Sequence, residues 1–189
     1  MEFIFLPPIL IFVFSFFRIN EIIMSIIASS ILLPVLYIFF HHFVNNYFYV
    51  DNLNAFILLI SSVVAVGISI FMISISKRVG LTQKQTKRFY RFFGIFLIGI
   101  LIAILSNNMG LYWIGLEFAT LSTVYMIKVS NTHNANTAAW KYLVVGAIAI
   151  SLILFGIILM YSAAKPILGE EAMNFFALNK SAKLLNGFL

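Results

Sequence analysis

Two ionisable residues stand where apolar stretches should hold none. From Leu111 to Tyr161 the chain reads LYWIGLEFATLSTVYMIKVSNTHNANTAAWKYLVVGAIAISLILFGIILMY, two segments of membrane-spanning length, with Glu117 in the first and Lys141 near the start of the second. An ionisable side chain in hydrocarbon costs at least about 2.5–3.5 kcal/mol, so those that persist face a protein interior, pair with one another, or line an ion path. A carboxyl group and an amine in a dry bundle can trade protonation. An approaching ammonium favours the carboxylate, and desolvation favours the neutral acid when the ammonium withdraws. The chemistry this pair supports is proton transfer coupled to charge movement. The competing reading is a fixed buried ion pair that holds two helices in register, because breaking such a pair costs roughly 3–5 kcal/mol. Trp113 and Thr120 share the helical face of Glu117, either as polar gating groups or as packing. Asp51 is placed either as an acid where protons enter or as a helix-start cap, since carboxylates are favoured near helix amino ends. His41 and His42 are read as interfacial residues, with a proton-collecting pair as the alternative.

Composition sets the class of elements that must position these groups. Of 189 residues, 62% are hydrophobic and 10% charged, against roughly 45–50% and about 25% in soluble domains. With a mean hydropathy of +1.06, the chain reads as an integral membrane protein, all-α and polytopic. The absence of cysteine removes disulfides, thiol ligands and iron–sulfur ligation. His41, His42 and His133 are too few and too poorly spaced for a haem or metal site, and no Gly-rich phosphate loop is present. No cofactor and no metal are therefore expected, and redox catalysis is not expected in this chain itself. The net charge of +6 would suggest nucleic acid in a soluble protein. Here the basic residues lie between apolar segments and are read as topological signals, because cytoplasmic loops carry the excess of Lys and Arg.

Taken in order, about six spans are expected, near residues 3–17, 22–40, 53–76, 92–105, 111–127 and 138–163, in a bundle covering 1–164. Pro34 interrupts the second. The turn HHFVNNYFYVDNLN is free of Lys and Arg and rich in aromatic rings, whereas Lys77–Arg91 holds six basic side chains and no acid. That asymmetry places the 77–91 loop in the cytoplasm and the amino terminus and tail outside. By the same count Glu117 falls roughly mid-membrane and Lys141 nearer the inner end, free to rise toward the carboxylate or snorkel inward. Residues 165–189 are expected to leave the membrane, with Pro166 and Gly169 breaking the helix before a short amphipathic piece. Gly146, Ala147, Ser151 and Gly156 are small residues that let helices approach closely.

The runs NNMGLYWIGLEFATLSTVYM and AAWKYLVVGAIAISLILFGIILMY, joined by a polar linker and preceded by VDNLNAFILLISSVV, carry a family resemblance. They are similar to the antiporter-like membrane subunits of respiratory complex I, Mrp-type cation/proton antiporters and group-four energy-converting hydrogenases. The pattern AAWKY after WIGLEFATL is most similar to the F-type membrane subunit of hydrogenase-4 and formate hydrogenlyase complexes. The resemblance covers most of residues 51–161. It implies the N-terminal part of the antiporter-like inverted-repeat fold, with Glu117 at the family's fifth-helix glutamate and Lys141 at its sixth-helix lysine. It further implies a multi-pass inner-membrane location, proton or cation translocation driven by redox chemistry in partner subunits, and other membrane subunits as partners. Family members continue into a broken seventh helix with a central lysine, and this sequence stops before it. The expectation is therefore either a split or truncated gene, with a separate chain supplying the remaining helices, or a short relative acting as a non-transporting scaffold or assembly subunit.

Overall fold

The computed structural model describes residues 5–15, 23, 26–28, 30, 35, 43–44 and 47–186. Helix α1, Leu6–Phe14, opens with Pro7 and Pro8, at positions where a missing N–H leaves no helical bond unmade. Strands β1, Phe43–Val44, and β2, Tyr49–Val50, form a two-residue antiparallel ladder with Phe43 opposite Val50. Four long helices follow. Helix α2, Asn52–Val79, starts at Asp51, whose carboxylate accepts the Asn54 N–H at 2.8 Å, and ends after Lys77 and Arg78 at Gly80, φ +68°. A glycine takes that left-handed conformation without a Cβ penalty, and the cations complement the helix carboxyl end. Helix α3, Gln83–Leu105, begins in a capping box between Thr82 and Gln85. Helix α4, Met109–Ile127, is capped by the side chain of Asn108. After a 3-10 turn at Lys128–Ser130, helix α5 runs His133–Leu168 from a Thr132 cap. A second 3-10 turn, Gly169–Met173, leads to α6, Phe175–Asn186.

Helices α2, α3 and α5 are long and apolar enough to cross a membrane. Helix α4 has 19 residues, a length of about 28 Å at about 1.5 Å per residue, its apolarity diluted by Glu117, Trp113 and its hydroxyl-bearing residues. The chain is thus an all-α polytopic membrane protein. Several boundaries differ from those read in the sequence. The basic stretch 77–91 is mostly helix, with only Gly80–Thr82 as a turn, so the span expected at 92–105 is the apolar part of a helix starting at Gln83. The reason is local: the Thr82–Gln85 box nucleates a helix, and Gln, Lys and Arg extend it. The span expected at 138–163 occupies His133–Leu168 and passes through Pro166. A proline near the last turn forfeits little of the ladder, and the break falls instead at Gly169, φ +56°. Of the first expected span, α1 covers Leu6–Phe14; most of the second, with Pro34, and the His41–His42 pair lie outside the described residues.

Helix α3 is the centre of the packing, with Tyr90, Phe93, Leu97, Leu101 and Leu105 buried along its length. Helix α1 lies against it so closely that a Cβ on Gly94 would sit 2.9 Å from the Pro8 carbonyl oxygen. Arg91 Nε donates to Ser15 Oγ at 3.4 Å, and Phe5 meets Phe48 with ring centroids 6.1 Å apart, so α1 runs antiparallel to α3. On its other side α3 meets α4 backbone to backbone. A Cβ on Gly115 would fall 2.5 Å from the Ala103 nitrogen, and one on Gly99 would fall 2.7 Å from the Ala119 nitrogen. The small residues that let helices approach are therefore Gly99, Ala103, Gly115 and Ala119. Gly146 and Gly156, read as close-packing positions, have open space where a Cβ would stand.

At the far end from the basic residues, three segments are stitched together by the turn between α3 and α4. Asn107 donates its backbone N–H to the Tyr47 carbonyl at 2.8 Å and accepts the Phe175 N–H at 2.9 Å on its own carbonyl. Its side-chain Oδ1 accepts the Phe176 N–H at 3.0 Å. The tail thus folds back onto the bundle. Tyr112 packs edge-on against Phe175, and Tyr49 tilts against Phe176. Burial pushes the Tyr49 phenol up from its ordinary value, helped by the charge of Asp51 and by a hydrogen bond to it.

Two outcomes follow from this packing. Gly115→Leu should destabilise the bundle by about 1–3 kcal/mol or more, since the neighbour is backbone and cannot yield, while Gly146→Ala should leave it unchanged; unfolding in detergent, followed by circular dichroism, distinguishes the two. Because the raised Tyr49 pKa contributes stability that is present below the unfolded value of about 10 and is lost as pH rises through the folded one, Asp51→Asn should change the alkaline limb above about pH 10 while keeping the helix cap. A pH titration of stability reads that limb directly.

Candidate functional site

Helix α4 has two working faces. Gly115, Ala119 and Ser122 are buried, the first two against α3, and Trp113, Glu117 and Thr120 lie on the face turned to α5. Trp113 donates its indole N–H to the Ile150 carbonyl at 3.1 Å. Glu117, Thr120, Leu121 and Val124 of α4 line a cleft with Tyr142, Leu143, Gly146 and Ala147 of α5. The cleft holds about 20 Å³, room for about one water molecule.

Glu117 is half-buried. The hydroxyls around it are committed to backbone: Thr120 Oγ1 donates to the Glu117 carbonyl at 3.0 Å, Ser122 Oγ to Phe118 at 2.6 Å, and Thr123 Oγ1 to Ala119 at 2.9 Å. Among the described residues no side chain hydrogen-bonds or ion-pairs with its carboxylate. A half-buried acid with one water's worth of space beside it can exchange a proton only through that space or through a group brought to it.

The structure brings together three of the residues singled out in the sequence, Trp113, Glu117 and Thr120, on one face. It does not bring Lys141 to them. Trp113 stands level with Ile150 and Glu117 with Gly146, so Lys141, five residues before Gly146, is displaced by about 7.5 Å toward the basic end. Its side chain is exposed on the face of α5 away from α4, and no ion pair joins it to Glu117 among the described residues. Asp51 stands apart from both as the α2 cap at the far end. Not singled out beforehand were Gly146 and Ala147 as the wall opposite the acid. Counting outward from the turn at Asn131 and Thr132 pairs position 117 with 146 and 113 with 150, so the register was available in the sequence.

Helix α5 is the least covered element, with 11% of its most apolar window buried. Trp140, Val145, Ile148, Leu152, Phe155 and Ile158 are all more than half exposed. Lys141 lies on this open surface, not in the α4–α5 cleft.

Residues 106–189 match the family described as NADH:quinone oxidoreductase/Mrp antiporter, transmembrane. Over 129 residues the chain is 36% identical to a hydrogenase-4 component F homolog of Methylacidiphilum infernorum, covering 66% of this chain and 27% of that protein. It is 31% identical over 122 residues to NADH-quinone oxidoreductase subunit N of Flavobacterium psychrophilum, covering 63% and 25%. It is also 34% identical over 95 residues to NADH-ubiquinone oxidoreductase chain 2 of Mus musculus, covering 50% and 27%. The chain therefore spans about a quarter of the length of these relatives. An acid-bearing helix hairpin in an apolar bundle and the matches across it agree: the chain belongs to the antiporter-like membrane-subunit superfamily of complex I, Mrp antiporters and energy-converting hydrogenases.

Proposed function

We propose that this chain is a proton- or cation-translocating membrane subunit, or the N-terminal part of one, of a redox-driven pump of the complex I or hydrogenase-4 kind. The observation that carries the proposal is the half-buried Glu117, whose carboxylate faces a cleft of about one water between α4 and α5 with no described partner. A purely structural acid at this depth would be expected to hold a fixed partner, because an unpaired carboxylate in hydrocarbon is costly. An acid beside a crevice with room for about one water is suited to taking up and releasing a proton. Lys141, on the open face nearer the basic end, supplies the movable positive charge, its four-carbon stem able to swing the ammonium by several ångströms. Trp113 braces the hairpin above the acid by its bond to Ile150. The basic end is assigned to the cytoplasm by its excess of Lys and Arg. The redox chemistry belongs, on this reading, to other membrane subunits.

A second reading rests on the same open surface. With so little of α5 covered, the chain is also suited to a scaffold or assembly role, in which neighbouring helices dock on α5 and no ion moves through this bundle.

Glu117→Gln in the native complex separates the two. The translocation role requires ion pumping to fall by about tenfold or more, with subunit assembly intact, because an amide cannot carry the proton. Normal pumping in an assembled complex would sink it, and loss of assembly alone would establish the scaffold.

A further inference from the structure

The basic end carries a feature that the translocation reading does not use. Arg88 of α3 and Lys128, at the carboxyl end of α4, line one cavity of about 190 Å³ together with Phe92 and Tyr125. The two rings are stacked, with centroids 4.4 Å apart and planes 7° from parallel. Gln85 Nε2 donates to the Ser130 carbonyl at 3.3 Å, tying the start of α3 to the turn after α4. The four acids among the described residues are elsewhere: Asp51, Glu170 and Glu171 toward the far end, and Glu117 partway up α4. Two cations therefore face one space without a described carboxylate to neutralise them.

The depth of this space is set twice over. Helix α3 changes from QKQTKRFYR to the apolar run beginning FFGIFLIG, and α4 ends its apolar run at Ile127 immediately before Lys128. Both boundaries fall at the cavity, so its floor of rings lies where hydrocarbon begins and its cations lie about one turn outside, at headgroup level. Aromatic rings concentrate at that level, and basic pockets between membrane helices take acidic headgroups. A guanidinium fork and an ammonium converging from two helices suit a phosphate. We propose that the seam between α3 and α4 at the basic end is a binding site for the phosphate of an anionic membrane lipid, held by Arg88 and Lys128 with its glycerol and upper acyl carbons on Phe92 and Tyr125.

The test uses the full chain purified in detergent, with phosphatidylglycerol and phosphatidylcholine as probes and native mass spectrometry as the readout. Phosphatidylglycerol should be retained over phosphatidylcholine; equal retention by the unaltered chain overturns the proposal without any variant. The double variant Arg88→Gln, Lys128→Gln should weaken phosphatidylglycerol binding by about thirtyfold. Lys84→Gln with Lys87→Gln, which removes the same charge from the same end, should change it little, and Arg88→Lys with Lys128→Arg should retain it. An equal loss in both charge-removing variants would mean diffuse surface attraction and would overturn the site. Inorganic phosphate distinguishes the source of the ligand. If it displaces the lipid at comparable concentration, the site is one for a free anion and the lipid assignment fails.

Discussion

The contact on which the rest depends is the crossing of α3 and α4, where two helix backbones touch with no side chain between them. Gly99 and Gly115 face each other's carbonyls, with Ala103 and Ala119 one turn further on. In a bilayer, where lipid tails are as apolar as any side chain, such close approach is what gives helices a reason to associate. It also fixes rotation. At about 100° per residue, turning Gly115 and Ala119 onto α3 leaves position 117 about 200° away, on the opposite side of α4. The acid is therefore delivered to α5 by two glycines that have no chemistry of their own. The sequence around Glu117 determines what the group can do, and Gly99 determines where it points.

Much of this was legible from residue types. The apolar runs locate the helices, the cap is one of the two readings Asp51 allows and is the one it fills, and the spacing of Trp113, Glu117 and Thr120 puts them on one face, as the cleft and the Ile150 hydrogen bond show. Boundaries at Lys77–Arg91 were not, because six cations read as solvent-exposed loop while they are equally good helix formers once a capping box starts the helix. The tail was read as an amphipathic surface piece, but nothing in its own pattern points to Asn107, whose three bonds to distant backbone arise only after the chain has folded back. Small residues were noticed on α5 and matter on α3 and α4. Smallness alone marks a place where close approach is allowed, and only the partner decides where it occurs.

Helix α5 is held differently from α3. Among the described residues it has, along its length, one side-chain hydrogen bond to α4, from Trp113, and little burial. At its ends it is bounded by the Lys128–Ser130 turn on one side and by the Gly169–Met173 turn on the other, beyond which Asn107 holds the tail. On the proposed reading, a sparsely covered wall beside Glu117 suits a cleft whose contents change protonation, since adding or removing a proton alters local solvation.

The position of Lys141 then constrains any proton path through this hairpin. An ammonium on the open face of α5, about 7.5 Å below the acid along the helix, cannot neutralise Glu117 by direct contact in the arrangement described. A direct pair would also serve transfer poorly, because a close ion pair stabilises both charges and raises the cost of moving either. On the proposed reading, the displaced lysine acts on the carboxylate through its field, which at membrane depth falls off slowly because little water screens it. On that reading, a swing of its stem toward the cleft or toward the basic end changes the field at the carboxylate without forming a bond that must later be broken. On the proposed reading, the stabilisation of the withdrawn ammonium comes from groups packed against the open face of α5, so the pump's moving charge sits at an interface with its neighbours. Coupling to a distant redox reaction has an obvious point of application there: whatever those neighbours do to the lysine, the acid senses electrostatically.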